Sequence, residues 1–280
     1  METRPFGASG FHVPVIGQGT WQMENDDAQA AVRALRTGLD LGMTHIDTAE
    51  LYGSGRVEEL VGKAIEGRRH EVFLVSKVLP SNASRRGTIK ACERSLKHLG
   101  TDWLDCYLLH WPGSHPLKDT IAALEELRES GKIRCWGVSN FDENELDEVK
   151  SIAGPGKLTC NQVLYHLGER SIEHAVLPWC ERERVAVVGY TPFGRSSFPP
   201  RSAAGDVLER IAKKHGATPR QVALAFLTRR QSLFAIPKSA DARHVRENAG
   251  AADLRLAPDE VEALDKAYPV GRRRRGVAML

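Results

Sequence analysis

Short apolar runs alternate with longer amphipathic ones from one end of this chain to the other. The runs are Val15–Gly19, Thr44–Thr48, Val72–Lys77, Leu104–His110, Ile133–Ser139, Leu158–Val163, Val185–Tyr190 and Leu233–Ser239, eight in all. Several, such as VFLVSK and VAVVGY, are apolar at nearly every position, as parallel strands covered on one face and packed inward on the other must be. The segments between them read as helices with defined ends. Asn25 is placed to cap a helix through AQAAVRALRTGLDL, and Gly42 to stop it. Ser84 opens and Gly100 closes a helix containing IKACERSLKHL, and Asp142 precedes ENELDEVKSI as an N-cap. Thr218 and Pro219 begin RQVALAFLTRR, with proline where its missing N–H has no consequence. A last amphipathic helix is expected from Pro258 to Ala267.

Eight strand-then-helix units with no linker between them predict one domain over residues 1–280, an α/β (β/α)8 TIM barrel. Turn formers at Gly7, Ser9 and Gly10 between β-prone stretches predict an N-terminal β-hairpin capping the barrel over residues 1–14. A doubly wound open sheet is the rival. It would carry a glycine-rich fingerprint after its first strand, and the nearest match, Gly53-Ser54-Gly55-Arg56-Val57-Glu58, lacks the third glycine.

Composition narrows the function. The net charge of +3 arises from 39 basic and 36 acidic residues, too balanced to point to nucleic acid as a partner. The one basic run, Arg272–Arg275, falls within residues 271–280, read as a flexible, solvated basic tail. Five cysteines without a CxxC or Cys/His pattern suggest neither disulfides nor a metal site. Cys106, Cys135 and Cys160 sit in or beside apolar runs as small hydrophobes. With no apolar leader and no stretch of membrane-spanning length, a cytoplasmic protein without a membrane partner is expected. No helix carries an obviously surplus apolar face, which favours a monomer.

In a barrel of this kind the functional groups stand at the C-terminal ends of the strands. Asp47 ends MTHID, Lys77 ends VFLVSK and His110 ends CYLLH, while Tyr52 lies in the loop just past Asp47. Each has a plainer reading alone: a helix cap, a surface lysine, a packing histidine, a loop anchor. Together, from the second, third and fourth strands, they form a proton-transfer set. A lysine ammonium beside the phenol is expected to lower its pKa, with Asp47 holding Lys77 charged. His110 then orients a substrate carbonyl while Tyr52 protonates its oxygen. Lys238-Ser239 before a helix offers a phosphate site, since N–H groups and the helix dipole favour an anion there.

At these residues the chain resembles the aldo-keto reductase family. The matching stretches are GMTHIDTAELYGS, LVSKV, YLLHWP, GKIRCWGVSNF, TCNQVLYH, GYTPFGR and AIPKSADARHVREN, running from Gly17 to Asn248 in family order. The resemblance is closest in look to small bacterial members acting on methylglyoxal and other aldehydes. It implies hydride transfer from NADPH to a small-molecule aldehyde or ketone, with Asp47, Tyr52, Lys77 and His110 as the catalytic tetrad. Ser139, Asn140 and Gln162 would hold the nicotinamide amide, and Tyr190 would stack on its ring. Gly19, Thr20 and Trp21 would line the mouth, while Thr191, Phe193 and Gly194 would run under the pyrophosphate. Asp47, Lys238, Ser239, His244 and Asn248 complete the expected cofactor contacts, and Trp21, Tyr52, His110 and Trp111 the substrate contacts.

One position departs from the family. Where an arginine usually grips the adenosine 2′-phosphate, this chain has His244, flanked by Arg243 and Arg246. NADPH is still expected, with NADH as an alternative. In the family the tail can cross the mouth, where Arg272–Arg275 would favour substrates bearing a carboxylate. Two rival functions are a non-catalytic NADPH-binding regulatory module on the same fold, and an isomerase or aldolase using Lys77 as a Schiff base.

Overall fold

The apolar runs become strands because residues that are apolar on both faces need cover on both. The computed structural model describes residues 1–195 and 197–280. An antiparallel hairpin of β1 (Thr3–Pro5) and β2 (His12–Pro14) opens the chain. Parallel strands follow: β3 (Gln18–Gly19), β4 (His45–Asp47), β5 (Phe73–Val78), β6 (Leu104–Leu109), β7 (Ile133–Ser139), β8 (Cys160–Leu164), β9 (Ala186–Tyr190) and β10 (Leu233–Ile236). Each pairs with its neighbour in chain order. Bridges from Ile16 to Ala235 and from Gly19 to Lys238 close the sheet on itself.

Helices α1 (Ala28–Asp40), α2 (Arg56–Ile65), α3 (Arg85–Leu99), α4 (Leu117–Glu129), α5 (Glu143–Ala153) and α6 (Val176–Glu183) form the first part of the outer ring. The rest is α7 (Ala203–His215), α8 (Pro219–Leu227), α9 (Ala242–Gly250) and α10 (Pro258–Ala267). The expected caps at Ser84, Asp142 and Thr218 form, the last two as reciprocal capping boxes. The first helix differs. Asp27, not Asn25, caps α1, accepting a hydrogen bond from the Ala30 N–H, while Asn25 ends a preceding short turn of 3-10 helix. The strand expected through Ser239 stops at Ile236 because Pro237 has no N–H for the ladder. The run from Val15 is regular only at Gln18–Gly19, although the Ala235 N–H still bonds the Val15 carbonyl.

Side chains alternate in and out along each strand, and this places the site. Phe73, Val75, Cys106, Leu108, Cys135, Cys160, Ala186, Val188, Phe234 and Ile236 fill the barrel interior. Further along the same strands, the inward face ends in Lys77, His110, Ser139, Gln162, Tyr190 and Lys238, with Asp47 ending that face of β4. The hairpin seals the opposite end. Phe6 packs there against Phe73, Phe234 and His45, with ring centroids 4.9, 5.3 and 5.9 Å away. The polar layer therefore has apolar layers beneath it and is open on one side only.

His45 lies within this sealed lower core, fully buried, with no partner for either ring nitrogen among the described residues. Burial, and secondarily the Lys77 charge, push its pKa from 6.5 down to about 3. The unfolded chain thus binds more protons below pH 6.5, so stability is lost as pH falls from about 6.5 toward 3. His45 alone is expected to make the protein about 2 kcal/mol less stable at pH 5 than at pH 7. Urea unfolding of His45→Leu at both pH values should show a smaller difference than the wild type; an equal difference would contradict this.

Candidate active site

Adjacent strands carry Asp47 and Lys77 to neighbouring positions, since β4 and β5 pair with Asp47 opposite Val75. Lys77 Nζ donates to Asp47 Oδ1 at 2.6 Å, to the Thr48 carbonyl at 2.9 Å and to Tyr52 Oη at 3.2 Å. These three bonds match the three protons of an ammonium. Lys77 is fully buried and Asp47 nearly so. Burial works against the Lys77 charge, but Asp47 and Tyr52 outweigh it and raise the lysine pKa above its ordinary value. Burial also raises the Asp47 carboxyl above its ordinary value, with Lys77 and Gln162 offsetting part of the rise. The pair stands as an ammonium and a carboxylate.

Tyr52 is delivered by a turn rather than a strand. A short 3-10 helix spans Tyr52–Gly55, and Gly53 and Ser54 within it have φ of 56° and 54°. Glu50 fastens this loop to the next, accepting hydrogen bonds from the Leu79 N–H at 2.7 Å and Asn82 Nδ2 at 3.0 Å and pairing with Arg94 at 2.9 Å. Burial pushes the Tyr52 phenol above its ordinary 10.0; the Lys77 ammonium pulls the other way and loses. This corrects the expectation of a phenol made more acidic by its lysine. The hydroxyl stays protonated at neutral pH, which a proton donor requires.

His110 follows β6, its ring centroid 5.8 Å from that of Tyr52 and 4.7 Å from that of Trp111. Burial, reinforced by Lys77, lowers its pKa well below 6.5, so the imidazole is neutral. Its Nδ1 has no partner among the described residues. Assigning the single proton to Nε2 leaves a donor for a carbonyl oxygen.

Around the tetrad, Thr20 Oγ1 holds the Asp47 carbonyl at 2.8 Å, and Gln162 Nε2 donates to Asp47 Oδ2 at 2.6 Å. Asn140 Nδ2 donates to the His110 carbonyl at 3.1 Å, and its Oδ1 accepts from Tyr190 Oη at 2.9 Å. Asn140 and Thr191 have φ of 64° and 54°, and Gln22 has 62°. With Ser54, four of the five non-glycine residues in the left-handed region among the described residues therefore sit in the mouth or in the turn that carries Tyr52. Such backbone concentrates where function fixes it.

One family model, the Aldo/keto reductase family, matches residues 15–269. This chain belongs to that family. It is 44% identical to the methylglyoxal reductase YeaE of Escherichia coli over 271 residues, covering 96% of this chain and 95% of the relative. To the glyoxal reductase of Bacillus subtilis it is 34% identical over 269 residues, covering 94% and 93%. An aldo/keto reductase from Klebsiella pneumoniae, solved in complex with NADP and acetate, superposes with a TM-score of 0.93 at 41% identity over the whole of both chains.

This aldo/keto reductase gathers most of the residues expected from its sequence around a single cavity of about 650 Å³. Gly19, Thr20, Trp21, Asp47, Tyr52, His110, Trp111, Ser139, Asn140, Gln162, Tyr190, Thr191, Phe193, Gly194 and Lys238 line it. Lys77 lies just beneath. Ser239, His244 and Asn248 are not in the lining. Ser239 Oγ accepts from the Asp241 N–H at 3.0 Å, His244 is exposed on α9, and Asn248 is buried with its Oδ1 lacking a donor among the described residues. That orphaned oxygen, with the Ser139 hydroxyl, the second Gln162 amide proton and Lys238, which pairs here with Asp26, fits an amide- and phosphate-bearing nucleotide.

Seven lining residues were not expected: Gln22, Leu51, Pro192, Arg195, Ile236, Met279 and Leu280. Arg195, whose guanidinium lies 5.7 Å from the Trp21 ring centroid, had a signal in GYTPFGR, a cation after the glycine of that loop. Met279 and Leu280 had only the resemblance, which allows the tail to cross the mouth; no run or spacing in the sequence marks them. Asp47→Asn would leave Lys77 buried without its counter-charge. A loss of about 3 kcal/mol in urea unfolding at pH 7 is expected, as for other broken buried pairs. Unchanged stability would mean that the pair is not held as described.

Proposed function

We propose that the tetrad Asp47, Tyr52, Lys77 and His110 reduces small aldehydes and ketones to alcohols, with Tyr52 as proton donor. The carrying observation is the chain of contacts from Asp47 through the buried Lys77 ammonium to the Tyr52 hydroxyl, 2.6 and 3.2 Å in length. NADPH, when bound, would supply the hydride that the carbonyl carbon accepts. A neutral His110 donating from Nε2 holds the carbonyl oxygen near Tyr52. As negative charge grows on that oxygen, it becomes far more basic than a phenolate, and the Tyr52 proton passes to it. Lys77 then stabilises the phenolate left behind at 3.2 Å. Ser139, Asn140 and Gln162 would seat the nicotinamide amide, Tyr190 its ring, and Lys238, Ser239 and the start of α9 the 2′-phosphate. The relatives' methylglyoxal and glyoxal point to small, reactive aldehydes as substrates for this chain.

The rival readings fare worse. A Schiff-base lysine must lose its proton, whereas Lys77 spends all three on partners and has a raised pKa. A purely binding module has no need of a buried ion pair beside a phenol that lines the cavity. The described residues include no helix long and apolar enough to cross a membrane. A monomer working in the cytoplasm remains our reading.

Tyr52→Phe is expected to lower kcat about 10²- to 10⁴-fold, the usual worth of a general acid, with NADPH binding by fluorescence unchanged. Turnover near that of the wild type would remove Tyr52 from the mechanism. His244→Arg should add a cation for the 2′-phosphate. It is expected to raise the NADPH-over-NADH preference in kcat/KM about tenfold, as one further charge-assisted hydrogen bond would. No change would place the phosphate away from His244.

A further inference from the structure

The carboxylate of Asp47 is held from both sides of the barrel. Its Oδ1 faces Lys77 on the adjacent strand, but its Oδ2 accepts from Gln162 on β8, at 2.6 Å. In the closed sheet β8 lies four strands from β4 in either direction, so this hydrogen bond crosses the full width of the mouth. Both residues are almost completely buried. A short bond to a buried charge is worth more than an ordinary side-chain contact, because water cannot replace it.

We propose that Gln162 is a positioning residue of the proton relay, fixing Asp47 in register with Lys77 from across the barrel. This goes beyond its expected place in the nicotinamide seat and rests on the tetrad reading. One side chain can do both. A single Nε2 proton serves Asp47, and among the described residues nothing donates to Oε1, so that oxygen and the second proton are left for an amide ligand. Cofactor seat and proton relay thus share one rigid part. Removing the Gln162 donor leaves Oδ2 buried with no partner, which disfavours the carboxylate and with it the charge that holds Lys77.

The ionisable groups facing this set are Lys77 on β5, Tyr52 and Glu24 on the loops, His110 after β6 and His45 two residues before Asp47. Burial keeps both histidines neutral well below pH 6.5, so loss of Gln162 should register as an upward move of Asp47 itself.

The test compares the full-length wild type with Gln162→Met, which keeps the length without the N–H, and Gln162→Glu, which sets a second carboxylate against Asp47. Carboxyl-13C aspartate labelling of the cofactor-free proteins, with D47N identifying the resonance, reads Asp47 directly. It is expected to titrate about one to two pH units higher in Gln162→Met. In Gln162→Glu, where two carboxylates share a proton, it should titrate higher still. The acid limb of kcat at saturating NADPH should move in the same order. Coincident Asp47 titrations in all three proteins, with only the NADPH dissociation constant raised, would make Gln162 a cofactor ligand alone and overturn the proposal. Retained turnover in Tyr52→Phe would instead overturn the tetrad reading, and this proposal with it.

Discussion

A lysine with no exposed surface stays charged only if its surroundings replace the water it has lost. Removing such an ion from water costs several kcal/mol, and attraction offsets this only where geometry is good and every proton has an acceptor. Lys77 meets both conditions through Asp47, the Thr48 carbonyl and the Tyr52 hydroxyl. Those acceptors come from β4 and from the loop that follows it, so the strand pairing of β4 with β5 and the turn at Tyr52–Gly55 have to be right together. The ion pair is weak as a source of stability. It is strong as a constraint on where a phenol stands.

The barrel makes this arrangement available at little conformational cost. Two-residue periodicity along each strand stacks apolar layers from the hairpin plug upward and then changes chemistry at the last inward position. The apolar layers keep water from reaching the tetrad from below, and the mouth admits ligands from above. Buried in this way, Tyr52 is a weaker acid than a free phenol, not a stronger one. That suits a reduction. A donor that ionised early would be useless, whereas one held protonated responds to the charge that develops on the carbonyl oxygen, with Lys77 already in place.

Much of this was legible in the sequence because it depends on local order. Asp47, Lys77 and His110 stand out as polar residues closing apolar runs, and a parallel barrel converts that linear feature into proximity. Tyr52 was legible only beside Asp47, through the resemblance and the closeness of the two in the chain. What was not legible depends on distance in sequence. The Gln162–Asp47 bond joins residues on opposite sides of the barrel, and no run or spacing announces it. The Asp27 cap was missed because Asn25 is an equally good capping residue; which one serves is set by a 3-10 turn that Met23 anchors in the core.

The tail shows what charge alone leaves out. Four consecutive arginines suggested a solvated basic segment, or one that would draw carboxylates to the mouth. In the fold, Arg273 pairs with Glu143 at 2.6 Å and Arg274 with Glu169 at 3.4 Å, so two of the four charges are met by carboxylates on the rim. What reaches the cavity is Met279 and Leu280. Among the described residues four large hydrophobic side chains are exposed, and three of them, Leu51, Met279 and Leu280, line this one mouth. Clustered exposed apolar surface is characteristic of a ligand-binding rim. The mouth is therefore edged by apolar side chains from the Tyr52 loop and from the tail, while the four arginines beside them stay exposed.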